Sequence, residues 1–92
     1  KINSNDKDKF LIVEEIKNAL NSADLPKILD VIDIDGVRVR FEHGWALVRA
    51  SNTTPVLVTR YEANSQENLA LIQEKFTNLI QKISSKFKDN NE

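Results

Sequence analysis

The sequence predicts an α+β fold, in which a four-stranded antiparallel sheet is formed by the middle of the chain and a helix at each end packs on it. Near both termini, apolar residues recur every three or four positions, which is the period of a helix with one buried side. Between residues 28 and 63, apolar and polar residues alternate instead, with short turns between the alternating runs. Strands joined by short turns pair antiparallel, and both helices need an apolar surface to cover. A two-layer sandwich follows.

The first helix is predicted between Asp6 and Ala23. Ser4 or Asp6 can cap its start, and Pro26 prevents its continuation. The predicted apolar side of this helix comprises Phe10, Ile12, Val13, Ile16, Ala19, Leu20 and Ala23.

The four strands are predicted over residues 28–32, 37–42, 45–50 and 56–62. The first two are joined by a turn that ends in Asp35-Gly36, and the next two by the tight reversal His43-Gly44. Pro55 stands where a strand can begin without its missing N–H. These connections predict that each strand pairs with the next one along the chain.

The last helix is predicted to start after a cap at Asn64 or Ser65, and a frayed tail is predicted over residues 88–92. Acidic residues lie early in this helix and lysines late, which suits the helix dipole. Its apolar stripe comprises Leu69, Ile72, Phe76, Leu79, Ile80, Ile83 and Phe87.

Composition restricts the possible functions. The 92 residues suit a single domain, and 13 basic against 14 acidic residues leave a net charge of −1, which argues against general attraction to nucleic acid or a membrane. The absence of cysteine excludes disulfides and thiol catalysis, and a cytoplasmic location fits this composition. The chain has no methionine and begins with Lys1, so we expect it to be part of a longer protein.

The segment of residues 49–55, Arg-Ala-Ser-Asn-Thr-Thr-Pro, has the composition of an oxyanion cradle. Ser51, Asn52 and Thr53 are compact, so their backbone N–H groups can converge on an anion while their side chains add donors. Arg49 offers a planar fork for two phosphate oxygens. The alternative interpretation is a polar turn between two strands without a ligand.

Residues 35–63 resemble the last domain of the phosphoglucomutase/phosphomannomutase group of α-D-phosphohexomutases. That group carries an Arg-x-Ser-(Asn or Gly)-Thr-x-Pro loop between two strands, often followed by a strand that ends in Glu-Ala. Here the loop positions are occupied in register, and Glu62-Ala63 ends the following strand. The resemblance implies a TBP-like, two-layer fold. It also implies an isomerase of carbohydrate metabolism as the parent enzyme, with this chain as its C-terminal domain.

In such enzymes four domains surround a cleft. The resemblance implies that a phosphoserine on the first domain exchanges its phosphoryl group with the sugar and that the second domain holds Mg²⁺, so this domain needs no cofactor. Arg49, Ser51, Asn52 and Thr53 would grip the non-reacting phosphate of a glucose or mannose phosphate. No catalytic residue is expected in this chain, and no turnover without the other domains. Many relatives carry Glu at the position of Thr54.

Other residues are assigned structural roles. Asp33 and Asp35 partly mimic an Asp-x-Asp-x-Asp metal motif but are expected to serve only the turn, and His43 is expected to be a solvated turn residue. Arg38 and Arg40 are expected to pair with Glu42 and Glu62 across the sheet. Arg60 is expected to do the same, or to strengthen the positive field near the loop. Core or sheet packing is expected of the aromatic residues Phe41, Trp45 and Tyr61.

Two further functions remain open at this point. A four-stranded sheet that exposes arginines and aromatics can present a stacking surface to single-stranded nucleic acid. The same sheet face could instead dock on a partner protein. The net charge and the lack of a basic stripe argue against the nucleic-acid function, and neither nucleic acid nor a membrane is predicted as a partner.

Overall fold

A computed structural model describes residues 2–3 and 7–90 of the chain. In chain order, its elements are β1 (Ile2–Asn3), α1 (Lys9–Ala19), a 3-10 turn (Leu20–Ser22), β2 (Ile28–Ile32), β3 (Val37–Phe41), β4 (Gly44–Ala50), β5 (Val56–Ala63) and α2 (Gln66–Asn90). The strands form one sheet in the order β1-β5-β4-β3-β2, and all neighbours are antiparallel.

The predicted α+β architecture is confirmed: β2 to β5 form the four-stranded antiparallel sheet, and both helices cover one of its faces. The bounds of these four strands fall within one residue of those predicted. The two residues of β1 add a short edge strand beside β5, at Val56 and Leu57. This strand was not predicted, because two residues are too few to show a strand period.

The strict alternation of β3 and β4 builds the core. Val39 lies opposite Ala46, and Val37 lies opposite Val48, with all four side chains buried. The helices contribute Ile16 and other apolar side chains to the same core, because apolar surface is removed from water where a helix packs on the sheet. The buried hydrophobic residues are Ile12, Val13, Ile16, Leu20, Val37, Val39, Phe41, Ala46, Val48, Ala50, Leu57, Ile72, Phe76, Ile80 and Ile83.

Helix α1 begins at Lys9, three residues later than predicted, and the predicted caps Ser4 and Asp6 lie outside the described residues. Phe10, predicted to face the core, is 56% exposed. An α-helix turns by about 100° per residue, which places position 9 rather than position 10 in line with Val13 and Ile16. Lys9 accordingly takes the buried place and is only 4% exposed.

Helix α2 is capped by Ser65, as predicted: its Oγ accepts a hydrogen bond from the Asn68 backbone N–H at 3.1 Å. Of the predicted tail, residues 88–90 are helical, and residues 91–92 lie outside the described range. Tyr61 packs edge-on against Phe76 with ring centroids 6.1 Å apart, so α2 lies against β5. Over the part of the chain described, neither helix combines the length and the apolar character needed to cross a membrane.

Candidate functional site

The loop between β4 and β5 is closed by backbone hydrogen bonds at its base. The Ser51 N–H donates to the Val56 carbonyl at 3.0 Å, and the Val56 N–H donates to the Thr54 carbonyl at 2.9 Å. The four residues between Ala50 and Pro55 therefore form a compact turn at the end of the sheet.

Ser51 Oγ is the centre of this turn. It accepts the backbone N–H groups of Thr53 and Thr54, both at 3.3 Å, and the Thr54 hydroxyl at 2.9 Å. A hydroxyl oxygen has two acceptor lone pairs, so these donors together occupy its acceptor sites, and the Ser51 O–H remains to donate. A hydroxyl that accepts hydrogen bonds becomes a better donor, because bonds in a chain polarise one another. The Ser51 hydroxyl therefore combines the hydrogen bonds that it accepts from the loop with a proton that it can donate.

Arg49 lies two residues before Ser51, on the sheet face that the helices do not cover. We call this surface the open face; it carries Arg38, Arg40, Trp45, Leu47, Arg49, Val58, Arg60 and Glu62. On it, Arg49 lines a shallow groove of about 430 Å³. The groove is lined by Ile32, Ile34, Asp35, Arg38, Trp45, Leu47, Arg49, Val58 and Arg60.

The register places three arginines around Leu47. Arg38 and Arg60 lie directly opposite Leu47 on its two neighbouring strands, and Arg49 follows it on the same face of β4. Within the described residues none of the three forms an ion pair. An arginine without a carboxylate partner remains available for an anionic ligand.

Arg40 differs from these three. Its guanidinium binds Asp30 Oδ2 through two nitrogens, at 2.6 and 3.0 Å. This hydrogen bonding lowers the pKa of Asp30 and raises that of Arg40. The predicted pairing of Arg40 with Glu42 or Glu62 is therefore wrong. A register shift between Ile28 and Asp30 brings Asp30 opposite Arg40, whereas Trp45 separates Arg40 from Glu62.

The position of Arg49 depends on Gly36 in the neighbouring turn. Asp35 and Gly36 lie in the predicted turn and both have positive φ, 57° and 94°, a conformation that Asp-Gly dipeptides favour. A Cβ at Gly36 would lie 2.5 Å from Arg49 Cβ and 2.5 Å from the Val48 carbonyl oxygen. Only glycine allows this close approach of the β2–β3 turn to the base of the Arg49 side chain.

The predicted site residues thus fall into two adjoining groups. Ser51 and Thr53 belong to the hydrogen-bonded turn, together with the exposed Asn52, and Arg49 belongs to the groove on the open face. The groove lining does not include the turn residues. An anion that contacts both groups has to lie at the end of β4, between the turn and the groove.

The remaining candidates are engaged in other contacts. Asp33 forms an ion pair with Lys17, with Oδ2 and Nζ 2.8 Å apart. This interaction lowers the pKa of Asp33 and raises that of Lys17. His43 Nδ1 lies 3.2 Å from the Asn64 side-chain amide, inside the turn region. Over residues 7–90 and the short first strand, no group of three or more metal-ligating side chains comes together.

Two contacts of this region were missed by the sequence analysis. Lys9 Nζ donates to the Thr54 carbonyl at 3.2 Å, which links the first turn of α1 to the loop. The Arg38 guanidinium lies 4.3 Å from the centroid of the Trp45 ring, so one ring face is covered. No local pattern signals the first contact, because its partners are 45 residues apart.

The protein-family model of the phosphoglucomutase/phosphomannomutase C-terminal domain matches residues 2–79 of the chain. A phosphomannomutase/phosphoglucomutase of Pseudomonas aeruginosa is 42% identical over 77 residues, which are 84% of this chain and 16% of the relative. A phosphoglucomutase of Neisseria meningitidis serogroup B is 52% identical over 52 residues, 56% of this chain and 11% of the relative.

A solved structure agrees with these relatives. The crystal structure of a phosphoglucomutase/phosphomannomutase family protein from Burkholderia thailandensis superposes with a TM-score of 0.70 at 35% identity. The match covers 82% of this chain and 16% of that protein. The chain spans about one sixth of the length of such relatives. By its matched residues and its fold, the chain belongs to the phosphoglucomutase/phosphomannomutase C-terminal domain family.

Proposed function

We propose that this chain is the C-terminal domain of a phosphohexomutase and that it binds the non-reacting phosphate of a phosphosugar through Arg49 and the β4–β5 loop. One observation carries the proposal: a Ser51 hydroxyl that accepts three hydrogen bonds stands two residues from an arginine without an ion-pair partner among the described residues. A hydroxyl donor close to a guanidinium fork suits a tetrahedral oxyanion.

Each site residue has a defined part in this binding. Arg49 offers a guanidinium fork to two phosphate oxygens, and Ser51 donates its hydroxyl proton. Asn52 and Thr53 are exposed and supply compact side-chain donors, whereas the Thr53 N–H donates to Ser51 Oγ. A hydrogen bond to a charged group contributes about 1.5–3 kcal/mol, so a few such bonds hold a phosphate without a metal.

The reaction of the parent enzyme explains why a remote grip is useful. An intramolecular transfer between the 1- and 6-positions of a hexose requires that either phosphate be held while the other end reacts. Binding energy at the remote phosphate then positions the reacting group. Proton and phosphoryl transfer belong to the other domains of the parent chain, and the present chain alone catalyses no turnover.

Magnesium and the phosphoserine likewise belong to the other domains. The two aspartates of the β2–β3 turn do not fit a metal, because Asp33 is bound to Lys17 and no third ligand joins them within the described residues. No step of the proposed binding uses a metal ion.

The phosphate proposal is preferred over nucleic-acid binding because of Trp45. Stacking of bases requires open aromatic faces, and Arg38 lies over the Trp45 ring. The net charge of −1 also gives little general attraction for a polyanion.

A two-dimensional NMR titration of the ¹⁵N-labelled chain tests the proposal. Glucose 1-phosphate and mannose 1-phosphate are the ligands, and glucose is the control. We expect saturable shifts at residues 49–54 with both phosphosugars and none with glucose. The dissociation constant is expected at about 1 mM or weaker, which corresponds to about −4 kcal/mol, because the walls of the cleft are missing. Shifts of equal size with glucose would refute recognition of the phosphate.

A further inference from the structure

The β4–β5 loop is hydrogen-bonded to helix α1 through a buried lysine. Lys9 is 4% exposed although lysine is seldom buried without a polar partner. Its Nζ donates to the Thr54 carbonyl at 3.2 Å, across 45 residues of sequence. The contact connects the first turn of α1 with the β4–β5 loop, the segment whose position matters for the proposed phosphate binding.

Thr54 links this contact to Ser51 through further hydrogen bonds. The Thr54 carbonyl accepts both Lys9 Nζ and the Val56 N–H, which fixes the peptide plane from two sides. The Thr54 hydroxyl donates to Ser51 Oγ at 2.9 Å, and the Thr54 N–H points at the same oxygen. A continuous series of hydrogen bonds therefore runs from Lys9 through Thr54 to the hydroxyl that is proposed to meet the phosphate.

We propose that Lys9 and Thr54 are positioning residues for the phosphate-binding loop: Lys9 fixes the Thr54 peptide, and Thr54 orients the Ser51 hydroxyl toward the ligand. The inference rests on the proposed function and deepens it. Neither residue has to touch the phosphate. Binding benefits because a loop held in its binding conformation loses less freedom when the ligand arrives.

Two pairs of variants test this in the 92-residue chain, with inorganic phosphate as the probe and amide shifts as the readout. In the first pair Thr54→Val removes the hydroxyl and keeps the shape, whereas Thr54→Ser keeps the hydroxyl. We expect Thr54→Val to weaken phosphate binding about threefold to tenfold, the cost of one hydrogen bond, and Thr54→Ser to bind like the parent sequence.

In the second pair Lys9→Met is compared with Lys17→Met, which removes the same charge from the same helix. Lys17 pairs with Asp33 and not with the loop. We expect Lys9→Met to weaken phosphate binding about tenfold and Lys17→Met to leave it unchanged. Lys9→Arg keeps a charged donor and should retain most of the affinity. Equal affinities for Lys9→Met and Lys17→Met, or for the two Thr54 variants, overturn the inference.

A ligand-free measurement separates this inference from the proposed function. If Thr54 is held by Lys9, Lys9→Met shifts the Thr54 carbonyl carbon resonance and speeds amide exchange at residues 51–56, while Lys17→Met does neither. If the parent sequence binds no phosphate but these changes occur, the proposed function fails and the positioning contact stands. If the changes are absent, the positioning inference fails, whether phosphate binds or not. Should Lys9→Met not fold, the Thr54 pair decides.

Discussion

The two faces of the sheet are formed by alternate residues of the same strands and have opposite character. On the covered face, Val39 and Ala46 are completely buried under the helices. On the open face, their neighbours Arg38, Trp45 and Leu47 line the groove. Since successive side chains of a strand point to opposite sides, one strand can supply core and binding surface at once. Stability and ligand binding should therefore be separable by substitution.

The largest effect is expected in the core. Phe76 is fully buried between α2 and β5, and Phe76→Ala should lower the free energy of unfolding by about 3–5 kcal/mol through lost burial and a cavity. Leu71→Ala on the same helix is the control, because Leu71 is 43% exposed, and it should cost about 1 kcal/mol or less. Urea denaturation measures both variants. Similar losses would mean that α2 does not cover the sheet as described.

The next largest effect is expected at Gly36, in the turn between β2 and β3. In Gly36→Ala the alanine has to adopt a positive φ, and its Cβ would lie 2.5 Å from Arg49 Cβ. The substitution should therefore destabilise the fold by about 1–3 kcal/mol. It should also weaken phosphate binding by displacing Arg49. The matched variant Asp35→Gly relieves a positive φ and should change stability by less than about 1 kcal/mol. Unfolding curves together with phosphate titrations check both, and a Gly36→Ala protein with unchanged properties would contradict the proposed packing.

On the open face, substitution should affect binding and leave stability largely intact. Arg49→Met should weaken phosphate binding about tenfold or more, because it removes the guanidinium fork. Its free energy of unfolding should change by less than about 1 kcal/mol. Arg40→Met removes the same charge from the same face but only breaks the pair with Asp30, so phosphate binding should persist. Equal losses of affinity in both variants would indicate attraction to the general field of the face rather than a site.

The smallest effect concerns the Asp30–Arg40 pair. The pKa of Asp30 is lowered in the folded protein by its hydrogen bond to Arg40. The stabilisation that this gives is complete above the ordinary carboxyl pKa of 3.8 and is lost as the pH falls through the lowered folded value. Asp30→Asn should therefore reduce the loss of stability on acidification below about pH 4. Urea unfolding at several pH values measures this, and identical pH profiles would show that the pair does not contribute.

Local patterns predicted those parts of the molecule that depend on local physics. Alternation located β3, and the dipeptide Asp35-Gly36 located the turn before it, because both follow from neighbouring residues. Ser65 was predicted as a cap for the same reason. The loop residues could be named from their donor chemistry and from the family resemblance, and their role in binding stays a prediction.

Long-range geometry accounts for what was missed. Lys9 was not expected in the core, because nothing near it in the sequence shows that the Thr54 carbonyl will be there to accept its hydrogen bond. The partner of Arg40 depended on a register shift in β2, which period-two alternation cannot show. Such features arise only when distant segments are placed side by side.

We propose that the domain recognises a phosphate group and not the sugar that carries it. Titration of the ¹⁵N-labelled chain with glucose 1-phosphate and glucose 6-phosphate tests this most directly. A loop that grips only the phosphate should bind both isomers with dissociation constants that agree within about threefold, and both should shift the amides of Ser51, Asn52 and Thr53. Binding of one isomer alone, or shifts confined to residues away from Arg49 and the loop, would contradict the claim.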